Sequence, residues 1–289
     1  MKILIIGNGF IANSIIHKLV SDNHELLVFS RTAREYIGCE QIQGDIFNFD
    51  QFRSVLDWKP EIIVHTAWIT TPGKYRNDPT NSDYAEFTVK LAMAIKGSAV
   101  KHLIVLGTCA EYGHQKVPSV AGKTRLTPNI LYAEKKVEAF NATAALLRNE
   151  EVRFTWARIF YPYGPNQDPK RLIPFLISSL RKNDPVILAD TTSIYDWITT
   201  RDIALAISWI IENEVPTEID IGTSIGFTNL HILEELEKLL QIENQLPSHE
   251  THDFGLNEVF VVGKNSPLLK SGWSPMDTLE TGLEWALKL

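Results

Sequence analysis

Short, uninterrupted apolar runs alternate with stretches of helical periodicity through the first half of the chain. Ile3-Leu4-Ile5-Ile6, Leu26-Leu27-Val28-Phe29, Ile62-Ile63-Val64 and Leu103-Ile104-Val105-Leu106 are such runs, and Gln41-Ile42-Gln43 is a shorter strand candidate among them. Apolar runs without polar alternation predict strands buried on both faces of a parallel sheet. Between them, apolar residues recur at helical spacing: Ile15, Ile16, Leu19 and Val20; then Leu91, Ala92 and Ile95 in a stretch opened by Asp78-Pro79; then Val137, Phe140, Ala144 and Leu147. Those spacings predict helices. Strands and helices in alternation predict an α/β fold with a right-handed, doubly wound parallel sheet.

Beyond Tyr163 the pattern loosens, and Pro165, Pro169, Pro174 and Pro185 break it into short pieces. Ile173, Phe175, Leu176, Ile177 and Leu180 predict a helix, and Val186-Ile187-Leu188 a strand. A helix over 203–211 follows Thr200-Arg201-Asp202, with Asp202 expected to cap it near its positive end. Ile219-Asp220-Ile221-Gly222 reads as a strand and turn, and Asn229 as the cap of a helix carrying Ile232, Leu233, Leu236, Leu239 and Leu240. A last helix is expected over 279–287.

Composition acts mainly by exclusion. With 289 residues and 44% apolar content, the chain can build one large domain plus a smaller lobe. A net charge of −7 argues against nucleic acid or an anionic membrane as the main partner. Cys39 and Cys109 are far apart, lack metal-ligand spacing and read as reduced thiols of a cytoplasmic protein. No metal site is expected. The apolar run before Gly7 is too short for a signal peptide or a membrane span.

The first apolar run enters Gly7-Asn8-Gly9-Phe10-Ile11-Ala12, a G-x-G-x-x-A pattern between a strand and a helix. Gly7 permits the tight turn, Gly9 lets backbone approach a pyrophosphate, and Ala12 permits close helix–strand packing. The second strand ends in Ser30-Arg31, with Arg34 shortly after and no acid to bind a ribose 2′-hydroxyl. A guanidinium suits a 2′-phosphate, so NADP(H) is favoured over NAD(H). Asp45 of Gly44-Asp45-Ile46 is a candidate for the adenine amino group, although Gly-Asp by itself is more often just a turn. His65-Thr66-Ala67 closes the fourth strand where ligands of open α/β sheets lie, and His65 itself reads as a core histidine. Trp68 and Thr70 follow in a loop able to face substrate.

Tyr132 and Lys136 are one helical turn apart and lie on one face. An ammonium beside a phenol favours the phenolate and is expected to lower a tyrosine pKa that is otherwise about 10. Thr108 ends the fifth strand and is placed to offer the same substrate oxygen a second hydrogen bond. These residue types make a proton-transfer centre for a carbonyl and its alcohol.

Together these motifs resemble the extended short-chain dehydrogenase/reductase superfamily, in its nucleotide-sugar epimerase, dehydratase and reductase branch. Gly7, Gly9, Phe10, Ile11 and Ala12 resemble its glycine loop, shortened by one residue and with Ala where Gly is usual, Asp45-Ile46 its adenine contact, and His65-Thr66-Ala67 its strand-four motif. Thr108 stands at the position of the catalytic serine or threonine before Tyr112-Gly113, and Tyr132 and Lys136 match Tyr-x-x-x-Lys. Arg158-Ile159-Phe160-Tyr161-Pro162-Tyr163-Gly164-Pro165 is similar to Arg-x-Phe-Asn-x-Tyr-Gly-Pro.

The resemblance implies a Rossmann-like domain over 1–163. It also implies a small C-terminal substrate-binding lobe, mainly within 164–289, with segments returning to the sheet. It makes Thr108, Tyr132 and Lys136 catalytic. Gly7, Asn8, Gly9, Phe10, Ile11, Arg31, Asp45, Ile46, Thr66, Ala67, Tyr132 and Lys136 become cofactor-binding, and Trp68, Tyr161 and Tyr195 candidates for substrate. Tyr195 stands where an arginine commonly binds the diphosphate, which shifts that role to Lys170, Arg171 or Arg201. The Thr-Asp-Glu of 4,6-dehydratases is absent, because Cys109 and Ala110 follow Thr108, and Glu111 reads as structural. The expected activity is an NADPH-dependent reduction of a 4-keto nucleotide sugar. The alternatives are an NAD-dependent epimerase and, outside catalysis, an NADP-sensing regulator. Family analogy adds a homodimer joined through helices within 84–95 and 133–147.

Overall fold

The continuous apolar runs become strands because both sides of each are covered. In the computed structural model, which describes residues 1–242, 259–264 and 266–288, β1 (Lys2–Ile6) sends Ile3 and Ile5 into one core and Leu4 and Ile6 into another. The nucleotide half continues with α1 (Phe10–Ser21), β2 (Glu25–Ser30), β3 (Glu40–Gln43), α2 (Phe49–Arg53), β4 (Ile62–His65), α3 (Asn81–Ala94), β5 (His102–Thr108), α4 (Leu131–Leu147) and β6 (Arg153–Ile159). After it come β7 (Tyr161–Tyr163), α5 (Leu172–Lys182), β8 (Ile194–Thr199), α6 (Thr200–Glu212), β9 (Glu218–Ile221), β10 (Gly226–Thr228), α7 (Asn229–Leu239), β11 (Phe260–Val261), α8 (Pro267–Lys270) and α9 (Leu279–Ala286).

The main sheet has seven strands in the order β3-β2-β1-β4-β5-β6-β9, all parallel. The chain starts at β1 in the middle, winds outward to β3, then crosses back to β4. The carboxyl ends of β1 and β4 therefore border a crevice at the switch point, where open α/β sheets take ligands. Ile6 pairs with Phe29 on one side and His65 on the other, so Gly7, Ser30 and Thr66 emerge together at its rim. On one face α1 and α6 lie side by side, joined by Ser14 Oγ to Thr200 Oγ1 at 2.8 Å, and Leu268 and Trp273 complete that core. The other face carries α2, α3 and α4.

β8 organises the smaller sheet, parallel to β7 and β11 and antiparallel to β10. Beneath it Ile173, Leu176, Ile177 and Leu180 of α5 meet Ile232, Leu233 and Leu236 of α7 and Leu283 of α9. Phe175, expected on that stripe, is 43% exposed because it falls between the buried positions of the helix. Val186 and Leu188 are buried in the same core, yet residues 186–188 form none of the strands.

Two helix starts differ from expectation for one reason: a cap needs extended backbone and an oxygen facing the first turn. Thr199, not Asp202, caps α6, accepting from Asp202 N at 3.1 Å. Asp202 instead accepts from Met276 N and Asp277 N, holding the segment before α9. Thr228 caps α7, while the Asn229 amide donates to the Asp190 carbonyl. Among the described residues no helix is long and apolar enough to cross a membrane.

His102, at the end of β5 remote from the crevice, is buried and shares a 2.9 Å hydrogen bond with Thr155. Burial, assisted by the Arg153 charge, holds its pKa down to about 3. The unfolded chain takes up that proton near pH ~6.5, so stability is lost as pH falls below that value. From pH ~7 to ~5 the native chain is expected to lose about 2 kcal/mol relative to His102→Gln. Urea midpoints of both proteins at the two pH values measure this; a constant gap between them would refute it.

Candidate active site

A cleft of about 650 Å³ runs from the glycine loop across the ends of the central strands to the lobe. Gly7 adopts φ +100°, and a Cβ there would lie 2.7 Å from Thr66 Oγ1 and 3.0 Å from Ala67 N, so only glycine lets β1 turn against β4. Above Gly9 the space is open. Gly9 offers no side-chain cap to α1, which leaves the first amides of that 12-residue helix facing the cleft at its positive end. Asn8 also lines the cleft, and its side-chain amide donates to the Thr32 carbonyl at 2.6 Å, shaping the loop after β2. Arg31 lies at the mouth with Nη2 3.5 Å from the Tyr84 hydroxyl. Arg34 is exposed and stands off the cleft lining.

Thr66 and Ala67 line the cleft, with the Thr66 hydroxyl donating to the Ile6 carbonyl. Ile46 lines it as well, whereas Asp45 does not: its carboxylate accepts from Phe47 N at 3.0 Å and closes a turn. His65 is a core histidine as expected, buried against Thr88 Oγ1 at 3.1 Å and held neutral, with burial lowering its pKa to about 3.

The ends of β5 and α4 bring Thr108, Tyr132 and Lys136 into the cleft together. The Thr108 side chain faces Tyr132 and acts to favour its phenolate, and Tyr75 stands edge-on to the Tyr132 ring with centroids 5.0 Å apart. Lys136 Nζ donates to the Leu106 carbonyl and sits 3.9 Å from the centre of the Trp68 ring. The expected lowering of the phenol pKa does not occur here. Burial pushes Tyr132 upward, Tyr75 adds to it, and Thr108 opposes only in part. Burial also lowers Lys136 to about 7, with Glu111 opposing. Tyr132 thus holds its proton at neutral pH and is set as an acid.

Trp68 is fixed by its indole N–H donating to Asn81 Oδ1 at 2.7 Å and by stacking on Tyr84. Tyr161 lines the lobe side of the cleft, and Trp197 joins it. Tyr195 lies behind Tyr161, 4.5 Å between centroids, off the cleft lining. Its hydroxyl donates to Asp190 at 2.6 Å, and burial and that carboxylate push it up to about 12. Of the three basic candidates for a diphosphate, Arg171 lines the cleft, donating to the Thr70 carbonyl at 2.7 Å and lying 5.3 Å from the Tyr75 ring centre. Arg201 is paired with Asp277, and Lys170 is exposed and off the lining.

One residue behind the site escaped the sequence reading in its detail. Glu111 is fully buried and accepts from Thr108 N at 2.8 Å, Trp156 Nε1 at 3.0 Å and Arg158 Nε at 2.7 Å. Arg158 Nη1 reaches on to Glu218 at 2.9 Å. Thr108-x-x-Glu111 is the capping-box signature, and it signals a paired Thr and Glu at the short 3-10 turn Cys109–Tyr112. Nothing local signals Tyr75, which arrives from a distant loop.

The model of the family described as "NAD dependent epimerase/dehydratase family" matches residues 3–222. The chain belongs to this family. It is an enzyme of the extended short-chain dehydrogenase type, similar to a UDP-glucose 4-epimerase of Lactobacillus helveticus at 24% identity over 281 residues, covering 84% of this chain and 83% of that one. Its fold matches a Thermotoga maritima UDP-glucose 4-epimerase solved with UDP-glucose, at a TM-score of 0.86 and 19% identity over 100% of this chain and 98% of that one. It also matches a Bacillus anthracis dTDP-glucose 4,6-dehydratase solved with NAD, at a TM-score of 0.85 and 21% identity over 100% and 96% of the two chains.

In this epimerase/dehydratase-family enzyme the lining fits a dinucleotide, on two observations: the open space over Gly9 and the uncapped amides of α1. A dehydrating acid–base pair is missing beside Thr108. Burial pushes the Cys109 thiol up and keeps it protonated, and Ala110 has no ionisable group.

Proposed function

We propose that the enzyme reduces a 4-keto nucleotide sugar, 6-deoxy sugars included, using NADPH. The observation that carries this reading is the corner where Tyr132 keeps its proton beside Thr108, next to a glycine loop shaped for a dinucleotide. A bound nicotinamide dinucleotide supplies the hydride. Tyr132 donates its proton to the sugar oxygen that gains charge, and Thr108 hydrogen-bonds the same oxygen and orients it. Lys136, between the Leu106 carbonyl and the Trp68 ring, supplies a positive charge to the same cleft, one helical turn from the phenolate left behind. Gly7, Asn8, Gly9, Phe10 and Ile11 hold the pyrophosphate, Ile46 and Ala67 flank the adenosine and nicotinamide ends, and Arg31 takes the 2′-phosphate. Arg171 takes the substrate diphosphate, between Tyr161 and the loop of Trp68. A homodimer through α3 and α4 belongs to the same reading.

Likeness to a named epimerase over 84% of the chain favours a second reading, an NAD-dependent epimerase that uses the same residues. Incubation with NADPH and a 4-keto-6-deoxy nucleotide sugar separates them. Stoichiometric NADPH oxidation supports reduction; interconversion of sugars by an enzyme purifying with bound NAD, and no net oxidation, overturns it. Arg31→Ala is expected to weaken NADPH binding roughly 10- to 100-fold through lost charge-assisted hydrogen bonds. NADH affinity should stay the same, and a titration with both dinucleotides checks this.

A further inference from the structure

Among the described residues, Glu111 is the fully buried carboxylate that bonds the Thr108 main chain, touching the proton-transfer corner from behind. Its oxygens hold the Thr108 main chain from below, while the Thr108 hydroxyl meets Tyr132 above. Its other partners, the Trp156 indole and the Arg158 guanidinium, fix the carboxylate in place. The fit is close. A Cβ on Gly107 would lie 2.3 Å from Trp156 Nε1 and 2.8 Å from Glu111 Oε1, so the strand carries glycine where the carboxylate and indole press against it. Lys136 Nζ stands over the same indole, 5.7 Å from the ring centre. We propose that Glu111 is a positioning residue of this site, holding Thr108 against Tyr132 and giving Lys136 its counter-charge. This rests on the reading of Tyr132 as the proton donor.

The other groups around Lys136 leave that part to Glu111. His65 on β4 is neutral, and Tyr132 on α4 holds its proton. Arg158 on β6 is engaged by Glu111 and Glu218, and Lys135 on α4 points out to Glu138. A buried ammonium keeps its proton only where a negative charge opposes desolvation, and Glu111 is the charge that acts this way on Lys136.

Two readouts test the proposal. NMR titration of Lys136 in protein labelled at the lysine side chains, assigned with Lys136→Met, reports its charge without any substrate. In Glu111→Gln the Lys136 midpoint is expected to fall by about one pH unit. Turnover should fall about tenfold or more, with the alkaline limb of its pH profile moving down by the same amount and cofactor KM unmoved. Glu111→Asp keeps the charge and draws it back by one methylene, so the limb stays in place while turnover drops. If Glu111→Gln fails to fold, Glu111→Gln/Arg158→Met, which leaves no fully buried charge unpaired and only the part-exposed Glu218 to be hydrated, carries the same Lys136 titration. An unchanged Lys136 midpoint together with native turnover in the Gln variant overturns the proposal. If no keto sugar is turned over by the native enzyme, the reductase reading fails, and the Lys136 titration still decides the role of Glu111.

Discussion

Tyr132→Phe is expected to lower turnover by about 10²- to 10⁴-fold, the range for removing a positioned general acid. The ring is already buried among Trp68 and Tyr75, and loss of the hydroxyl leaves those edge contacts intact. Its polar neighbour is Thr108, which stays anchored through Glu111, so the corner keeps its shape. Dinucleotide affinity should therefore move by less than about twofold, since the amides of α1 and the Lys136 ammonium are untouched. Single-turnover rates and equilibrium binding with the same protein separate the two effects. Turnover within threefold of native would remove Tyr132 from the proton path.

The features legible in the sequence are those whose cause is local. Continuous apolar runs mark strands because helices cover both faces, and β1 and β2 show it residue by residue. The glycine loop is legible because positive φ at Gly7 and open space at Gly9 demand particular residues. Tyr132 and Lys136 share a face through helical geometry alone. What was not legible depends on where distant segments arrive. Asp45 follows a glycine and resembles the family's adenine contact, yet its carboxylate bends back onto Phe47 N. Tyr195 aligns with a ligand-binding position, but Asp190, five residues earlier, captures its hydroxyl. The direction of the Tyr132 shift is of the same kind: it follows from how completely the cleft excludes water, which spacing does not encode.

Arg158→Met should destabilise the fold by about 3–5 kcal/mol, because it leaves the Glu111 carboxylate charged and buried without its guanidinium. Both side chains of that pair are fully buried. Glu218, the other partner of Arg158, is partly exposed and can be hydrated instead, so the loss falls on Glu111. For a chain of this size each kcal/mol shifts the melting temperature by about 2–4 °C, giving a drop of roughly 6–20 °C. Adding Glu111→Gln to Arg158→Met should recover at least half of it, since a neutral amide oxygen still accepts from Thr108 N. Thermal scans of the single and double variants measure both steps. A single variant melting with the native protein would mean that the ion pair contributes nothing to the fold.

The winding of the second half bears on how the enzyme can be re-engineered. After β6 the backbone leaves the large sheet for β7, α5 and β8, comes back to supply α6 and the edge strand β9, departs again for β10, α7 and β11, and returns with Leu268 and Trp273 in the core beside α1. A chimera made by one splice after β6 would import a relative's α6 and β9 together with its lobe, and would mismatch the face they cover. Transplanting substrate preference from one relative to another calls for exchanging the loop segments separately, leaving the native α6, β9 and α8 as the recipient's own frame.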